Sequence, residues 1–265
     1  NVGNALQRAQ GNKRQKYFET KALYAYDGMA LMTHTLMNHY KNFQGSLPEL
    51  LHLPMTVDLG RFENVLINDV AESLQKPFVA YIGVMNNKKD GVDILIEAFA
   101  QVKRTIPNLK LYLFGPYHYD TPGHINQIAN LQLTDSIFYK GEVHRDNVPS
   151  ILAEADLLVL PRPDSKQAQG GFPTKLGEYL ASGKPVCATS VGELPNYLVD
   201  NESVFFAKPG SVDSFSAAMK RALSNSEFAK EIGINGRRVS ETQFNKEIQA
   251  KKLKYFFETT LNTNA

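Results

Sequence analysis

The sequence predicts an α/β fold built on a doubly wound, Rossmann-like parallel sheet of about six strands. From residue 78 onward, short apolar runs typical of strands alternate with longer segments of helical periodicity. Strand and helix repeated in this order indicate parallel strands whose two faces are covered by helices. The length of 265 residues is enough for one large or two ordinary domains with a sizeable core.

The strand candidates are six short runs rich in apolar residues. They are FVAYIG (78–83), LKLYLFG (109–115), SIFYKG (136–141), DLLVLP (156–161), KPVCAT (184–189) and SVFFA (203–207). The helical patterns that alternate with them cover residues 92–106, 124–131, 148–155, 173–181 and 212–223. In such sheets the ligand lies outside the carboxyl ends of the strands, so we expect functional residues in the connections that follow strands.

The first 77 residues do not make a complete domain by themselves. They predict the end of one helix, a buried strand at 28–32, a second helix capped by Thr33 or Thr35, and a second strand at 50–58. Two strands and two helices would leave much apolar surface exposed, so we interpret this part as the tail of a larger domain with a polar linker. The chain begins without a methionine, and we expect an upstream part. The predicted division is a remnant of an N-terminal domain with its linker at 1–77, a ligand-binding domain at 78–245 and a closing helix at 246–265.

Composition excludes several classes of function. The chain has 29 Lys and Arg against 27 Asp and Glu, so any anion site must be local. Cys187 is the single cysteine, which rules out an internal disulfide, and its apolar surroundings predict a buried, inert thiol. No apolar run has membrane-spanning length, and we expect a cytoplasmic protein. A basic segment at 13–16 either forms a solvated helix face or contacts an anionic membrane surface on the inner side.

Residues 170–193, GGFPTKLGEYLASGKPVCATSVGE, predict a phosphate-binding turn. The glycine pair lets the backbone approach a ligand, and Pro173 suits the first helical position because its missing N–H would be unpaired there. The free N–H groups of that turn carry about half a positive charge, which favours a phosphate. Glu178 follows one to two turns later, within reach of a ribose attached to that phosphate.

Four segments, in order, resemble the group 1 (family 4) retaining glycosyltransferases, which have the two-domain GT-B fold. They are PMTVDLGRF (54–62), similar to P-N-G-V-D-x-x-R-F; YIGVMNNKKDGVDILIEAFAQV (81–102), similar to G-R-L-x-x-x-K-G-x-x-x-L-x-x-A-F; YKGEVHRDNVPSILAEADLLVLP (139–161); and GFPTKLGEYLASGKPVCATSVGELPNYL (171–198). The resemblance implies that the chain is the C-terminal, donor-binding half of such an enzyme.

The resemblance also implies roles for the turn and the helix after it. The backbone of Gly171, Phe172, Pro173 and Thr174 would meet the diphosphate of the donor. Glu178 would accept hydrogen bonds from the ribose hydroxyls. The alternative for Glu178 is a surface carboxylate paired with Lys175 or Thr174, which would contribute only about 0.3–0.5 kcal/mol.

A leaving nucleoside diphosphate gains negative charge, so the turn needs a nearby cation. The resemblance implies that Lys89, beside Lys88, stabilises the leaving phosphate. Val84 stands where the family has an arginine, and Lys175 and Arg162 are the candidate replacements.

Two further positions bear on the donor. His144 lies in the loop where the family recognises the nucleotide base. Gly170 stands where the family has its first motif glutamate, which faces the transferred sugar.

The resemblance thus implies sugar transfer from a nucleotide-diphosphate sugar to an acceptor, with retention of configuration, in polysaccharide biosynthesis. It implies no metal and no cofactor beyond the donor substrate. The nearly balanced charge gives no reason to expect a nucleic-acid partner. A glycan or lipid-linked acceptor would bind the missing N-terminal domain, so we expect the chain alone to turn over little. The alternatives are a nucleotide-sugar epimerase of the same fold and a non-catalytic nucleotide-binding module.

Overall fold

The computed structural model describes the backbone of residues 2–263 and the side chains of residues 11–260. The chain divides into two compact units. One comprises the residues up to Pro54 together with those from Gln249 onward, and the other is Met55–Ile248. The interpretation of 1–77 as the tail of a larger domain stays a prediction.

The smaller unit holds two parallel strands, β1 (Gly28–Leu31) and β2 (Glu49–His52). The first matches the predicted bounds, but only Leu31 of its four residues is buried, and the second covers only the start of the predicted 50–58. Helix α1 (Val2–Thr20) and helix α2 (His34–Lys41) belong to it, and most of the last helix, Lys246–Thr263, falls in its residue range. Of the two predicted caps, Thr33 is the one used, because its side chain accepts a hydrogen bond from the Leu36 N–H at 3.2 Å.

The larger unit is built on a six-stranded parallel sheet, which confirms the predicted fold class. All six predicted strands form, and their spatial order is β5-β4-β3-β6-β7-β8. Their bounds are β3 (Phe78–Ile82), β4 (Lys110–Phe114), β5 (Ile137–Gly141), β6 (Leu157–Leu160), β7 (Val186–Thr189) and β8 (Phe205–Ala207).

Nine helices with bounds inside the larger unit connect or cover these strands among the described residues. They are α3 (Asp69–Glu72), α4 (Asn87–Asp90), α5 (Val92–Lys103), α6 (Thr121–Asn130), α7 (Val148–Glu154), α8 (Lys166–Gly170), α9 (Lys175–Ala181), α10 (Val212–Ser224) and α11 (Ser226–Val239). The closing helix at Lys246–Thr263 is α12. The predicted linker is partly helical, because α3 and a 3₁₀ turn at Leu59–Phe62 lie within or beside it.

The start of α9 differs from the expectation. The helix begins at Lys175, so Pro173 lies two residues before it instead of occupying its first position. The Leu176 and Gly177 N–H groups bond to the Pro173 and Thr174 carbonyls, three residues back, which is a 3₁₀ pattern. Residues 173–174 therefore form a tight turn leading into the helix, which sequence periodicity does not distinguish from the helix itself.

Both faces of the sheet are buried, as two covering helix layers require. The main core contains inward-facing residues of four strands together with residues of α5 and α10. These strand residues are Val79, Leu111, Val159 and Cys187. Cys187 is fully buried, as predicted, and burial raises the pKa of its thiol far above the usual value. The rigid sheet fixes the positions of the loops at its carboxyl edge.

Gly91 holds two of these loops together. It ends α4 in the left-handed conformation, with φ of 70°, and begins α5. A Cβ at this position would collide with the Pro161 carbonyl oxygen, just after β6. The turn after β3 can therefore approach the end of β6 only with glycine here.

We predict that Gly91→Ala lowers the free energy of unfolding by about 2 kcal/mol or more, because left-handed backbone strain adds to the collision. Gly123→Ala is the matched control, since nothing lies within 4 Å of a Cβ there and the residue is inside α6. That control should stabilise by roughly 0.5–1 kcal/mol. Urea unfolding of both variants checks this, and equal effects would contradict the assigned role of Gly91.

Candidate functional site

The strand order reverses between β3 and β6, since the chain adds β4 and β5 on one side of β3 and β6 to β8 on the other. Ligands of doubly wound sheets bind outside the carboxyl ends of the strands at this switch point. The segments that follow β3 and β6 there begin at Gly83 and Pro161. They carry several of the predicted site residues.

Lys175 lies over the end of β3. Its Nζ donates to Asp90 Oδ1 at 3.0 Å and to the Tyr81 hydroxyl at 2.8 Å, and it sits 4.4 Å from the centre of the Tyr81 ring. Tyr81 in turn donates to the Val84 carbonyl at 2.7 Å. A Cβ at Gly83 would collide with this ammonium group. Gly83, which has no side chain, therefore leaves the space that the Lys175 ammonium group occupies.

The charges around Lys175 are strongly desolvated. Asp90 is 5% exposed and Arg162 is 6% exposed. Burial lowers the pKa of Lys175, and the neighbouring Asp90 carboxylate opposes that shift. Burial likewise lowers the pKa of Arg162. Two cations share one anion here, so this edge of the sheet has an excess of positive charge suited to an anionic ligand.

Two polar atoms in this group have no hydrogen-bond partner among the described residues. They are Asp90 Oδ2 and one terminal nitrogen, Nη1, of Arg162, and both are buried. The other terminal nitrogen of Arg162 donates to the Gln167 carbonyl at 3.4 Å. Unpaired buried charge is costly. A ligand that donates to Asp90 Oδ2 or accepts from Arg162 Nη1 would remove that cost.

The predicted phosphate turn lies beside Arg162. A Cβ at Gly171 would be 3.7 Å from Arg162 Nη2, and Gly171 itself has extended backbone. Phe172 is buried against Tyr197 and Phe244, with ring centres 5.6 Å and 5.3 Å away. Pro173 is buried as well, whereas Thr174 is exposed. The Phe172 ring therefore anchors the turn in the core, which leaves only backbone groups of that residue to meet a ligand.

Glu178 pairs with a residue that sequence reasoning missed. Its Oε1 accepts a short hydrogen bond from Arg61 Nη1, so the alternative pairing with Lys175 or Thr174 is wrong. Arg61 Nη2 also donates to the Arg145 carbonyl at 2.6 Å. The signal available was the arginine inside PMTVDLGRF, although only the folded chain reveals its partner 117 positions away.

The remaining predicted residues lie at the exposed rim. Lys89 is exposed on α4, where its N–H bonds to Asn86 Oδ1 at 2.9 Å, and its charge helps to lower the pKa of Lys175. The His144 side chain is 75% exposed, with Nδ1 3.4 Å from Asp146 Oδ2. The structure therefore brings Lys175, Arg162 and the Gly171 turn together and leaves His144 in solvent.

No helix among residues 2–263 combines the length and apolar character needed to cross a bilayer. Lys13, Arg14 and Lys16 are exposed on α1. Contact of this basic segment with a membrane surface stays a prediction.

A family model described as "Glycosyl transferases group 1" matches residues 64–239. The chain belongs to this family. It is 26% identical over 193 residues to an MMP alpha-(1->4)-mannosyltransferase from Mycolicibacterium hassiacum, with 72% of this chain and 44% of that protein covered. The chain spans about half the length of the curated relatives it matches.

Solved structures of other proteins share the fold. Sucrose-phosphate synthase from Thermosynechococcus elongatus has a TM-score of 0.76 at 20% identity, over 91% of this chain and 60% of that one. The Anabaena protein HepE, solved in complex with UDP-glucose, has a TM-score of 0.75 at 16% identity, over 88% and 64%. The six-stranded parallel sheet of this chain therefore matches the α/β fold of its GT-B structural neighbours.

We predict that Lys175→Met destabilises the protein by about 3–5 kcal/mol, because it leaves the Asp90 carboxylate buried and unpaired. Adding Asp90→Asn should restore at least half of that loss. Denaturant unfolding of both single variants and the double variant measures the coupling. A loss below about 1 kcal/mol for Lys175→Met would be typical of an exposed pair and would contradict the assigned burial.

Proposed function

We propose that the parent protein transfers a sugar from a nucleoside-diphosphate sugar to an acceptor with retention of configuration, and that this chain binds the donor. The observation that carries the proposal is the cluster of Lys175, Asp90, Tyr81 and Arg162 at the switch point of the sheet. An excess of buried positive charge at this edge is what a diphosphate requires. Membership of the group 1 family supports the reaction class.

In this proposal, Lys175 and Arg162 stabilise the leaving nucleoside diphosphate. Its negative charge grows as the bond to the sugar breaks, so a cation already in place contributes most in the transition state. Asp90 and Tyr81 hold the Lys175 ammonium before the donor arrives, which avoids reorganisation during the reaction. Because these groups supply positive charge from side chains, we propose that the reaction needs no metal ion.

The backbone of residues 171–174 is proposed to meet the diphosphate, and Glu178 the ribose. Helix α9 has only seven residues, so the side-chain cations rather than the helix dipole would supply most of the attraction. Lys89 is proposed to approach the phosphate from the exposed rim. His144 is proposed to face the base from the exposed rim, where its side chain is 75% exposed.

Structural neighbours support the donor class. HepE was solved with UDP-glucose, and the Staphylococcus aureus protein TarM was solved with UDP and alpha-GlcNAc-glycerol. We propose a nucleotide sugar as the donor and a glycan or lipid-linked molecule as the acceptor, bound outside this chain. Release of free nucleoside diphosphate from a donor panel, with a new glycoside as product, separates this function from an epimerase and from a binding module.

We predict that Glu178→Ala weakens binding of the preferred nucleoside diphosphate by about 1.5–3 kcal/mol, the usual contribution of hydrogen bonds to a charged group. Isothermal titration calorimetry with UDP, GDP and ADP measures this. Glu241→Ala is the matched control, since Glu241 also pairs with an arginine, Arg237, but on the surface of α11 and the turn after it. Unchanged affinity for the Glu178 variant would reject the ribose assignment.

We predict that Lys89→Ala lowers kcat of the full-length enzyme by more than it raises the Kd for the donor, because the charge it meets develops in the transition state. The neighbouring Lys88→Ala, also exposed on α4, should change neither by more than about twofold. Steady-state kinetics and calorimetry together provide the comparison. A raised Kd with kcat unchanged would indicate that Lys89 only binds the donor.

A further inference from the structure

The Arg61 side chain is largely buried, although the residue lies in a connecting segment. It lies in the 3₁₀ turn Leu59–Phe62, and its side chain is only 17% exposed. The guanidinium carbon is 5.7 Å from the centre of the Phe62 ring. Ordering a long side chain in this way costs conformational entropy, so the contacts it makes must offset that cost.

The guanidinium joins two separate elements of the proposed donor site. Nη1 donates to the Glu178 carboxylate on α9, and Nη2 donates to the Arg145 carbonyl in the loop after β5. Glu178 is the residue proposed to hold the ribose, and the loop at 144–147 is proposed to lie near the base. A single planar group therefore sets the distance between the two parts of the site that would bind one nucleoside.

The pairing leaves Glu178 able to bind a ligand. An ionised carboxylate has about four acceptor positions, and the contact with Arg61 engages only one of its oxygens. Ribose hydroxyls can use the remaining positions. The guanidinium restricts the rotamers of Glu178, which would otherwise be free, and so fixes where those positions point.

Resting on the proposed function, we infer that Arg61 is a positioning residue for the ribose subsite: it acts through Glu178 and does not touch the reacting atoms. Lysine cannot reproduce it, because its three N–H donors share one nitrogen, whereas two separate nitrogens of Arg61 reach Glu178 and Arg145. Arg61 would thus affect recognition of the ribose, whereas the groups proposed to bind the phosphates would not depend on it.

The test measures discrimination between ribose and dideoxyribose. Calorimetry with UDP, GDP and ADP, each beside its 2′,3′-dideoxy analogue, gives the ratio of affinities for the unaltered chain, which should favour the ribonucleotide by about tenfold or more. In Arg61→Lys and Arg61→Ala this ratio should fall towards one, while affinity for the dideoxy analogue changes by less than about threefold. In a Glu178→Ala background, Arg61→Ala should have no further effect on the ratio.

Arg221→Ala is the matched control. Arg221 also joins a carboxylate to a backbone carbonyl, at Asp200 and Phe206, but it lies on α10 away from the carboxyl ends of β3 and β6. Its removal should leave the ratio unchanged. Thermal unfolding of each variant identifies misfolding, and the conservative Arg61→Lys keeps the test valid where Arg61→Ala fails to fold.

The possible outcomes distinguish failure of the role inferred for Arg61 from failure of the proposed function. Equal losses for the ribonucleotide and its dideoxy analogue in the Arg61 variants would indicate a purely structural role and overturn the inference alone. A ratio near one in the unaltered chain that binds nucleotide would also overturn it, together with the ribose assignment of Glu178. Absence of saturable binding by any of the six nucleotides would contradict the proposed function and the inference together.

Discussion

The buried ion pair between Lys175 and Asp90 is the interaction on which the carboxyl edge of the sheet depends. Removing two charges from water costs several kcal/mol each, and the pair recovers this only if its geometry is kept. The chain around it meets that condition: Gly83 leaves room for the ammonium, Tyr81 supplies a second acceptor, and Gly91 lets the α4 turn approach β6. The switch point of the sheet is therefore built around a fixed positive charge.

Much of the fold follows from local pattern. The six strands and most helices of the larger unit appear where alternating apolar runs and helical periodicity place them, because burial on both faces of a parallel sheet leaves a strong signal in the sequence. The start of α9 could not be predicted as well. A proline-containing 3₁₀ turn and a helix have the same local pattern, and their difference lies in which carbonyls the Leu176 and Gly177 amides find.

The location of the candidate site could be predicted from the sequence, but the side-chain contacts within it could be predicted only in part. Lys175, Arg162 and the Gly171 turn do come together at one edge. The partners that hold them were not accessible from sequence, since Lys175 meets Asp90 across 85 positions and Glu178 meets Arg61 across 117. Such long-range pairs depend on the topology of the whole unit. The Val84 carbonyl accepts a hydrogen bond from the Tyr81 hydroxyl, which in turn accepts one from Lys175 at the end of β3.

The most direct test of the proposed donor site is a crystal structure of the chain with UDP, GDP or ADP, whichever binds most tightly. We predict phosphate oxygens within hydrogen-bond distance of Lys175 or Arg162 and ribose hydroxyls on the Glu178 carboxylate. A nucleotide bound elsewhere would contradict it, for example in the groove at the amino ends of the strands that Pro77, Lys184 and Arg237 line. So would a structure grown at saturating nucleotide in which Lys175 and Glu178 contact only their partners within the protein.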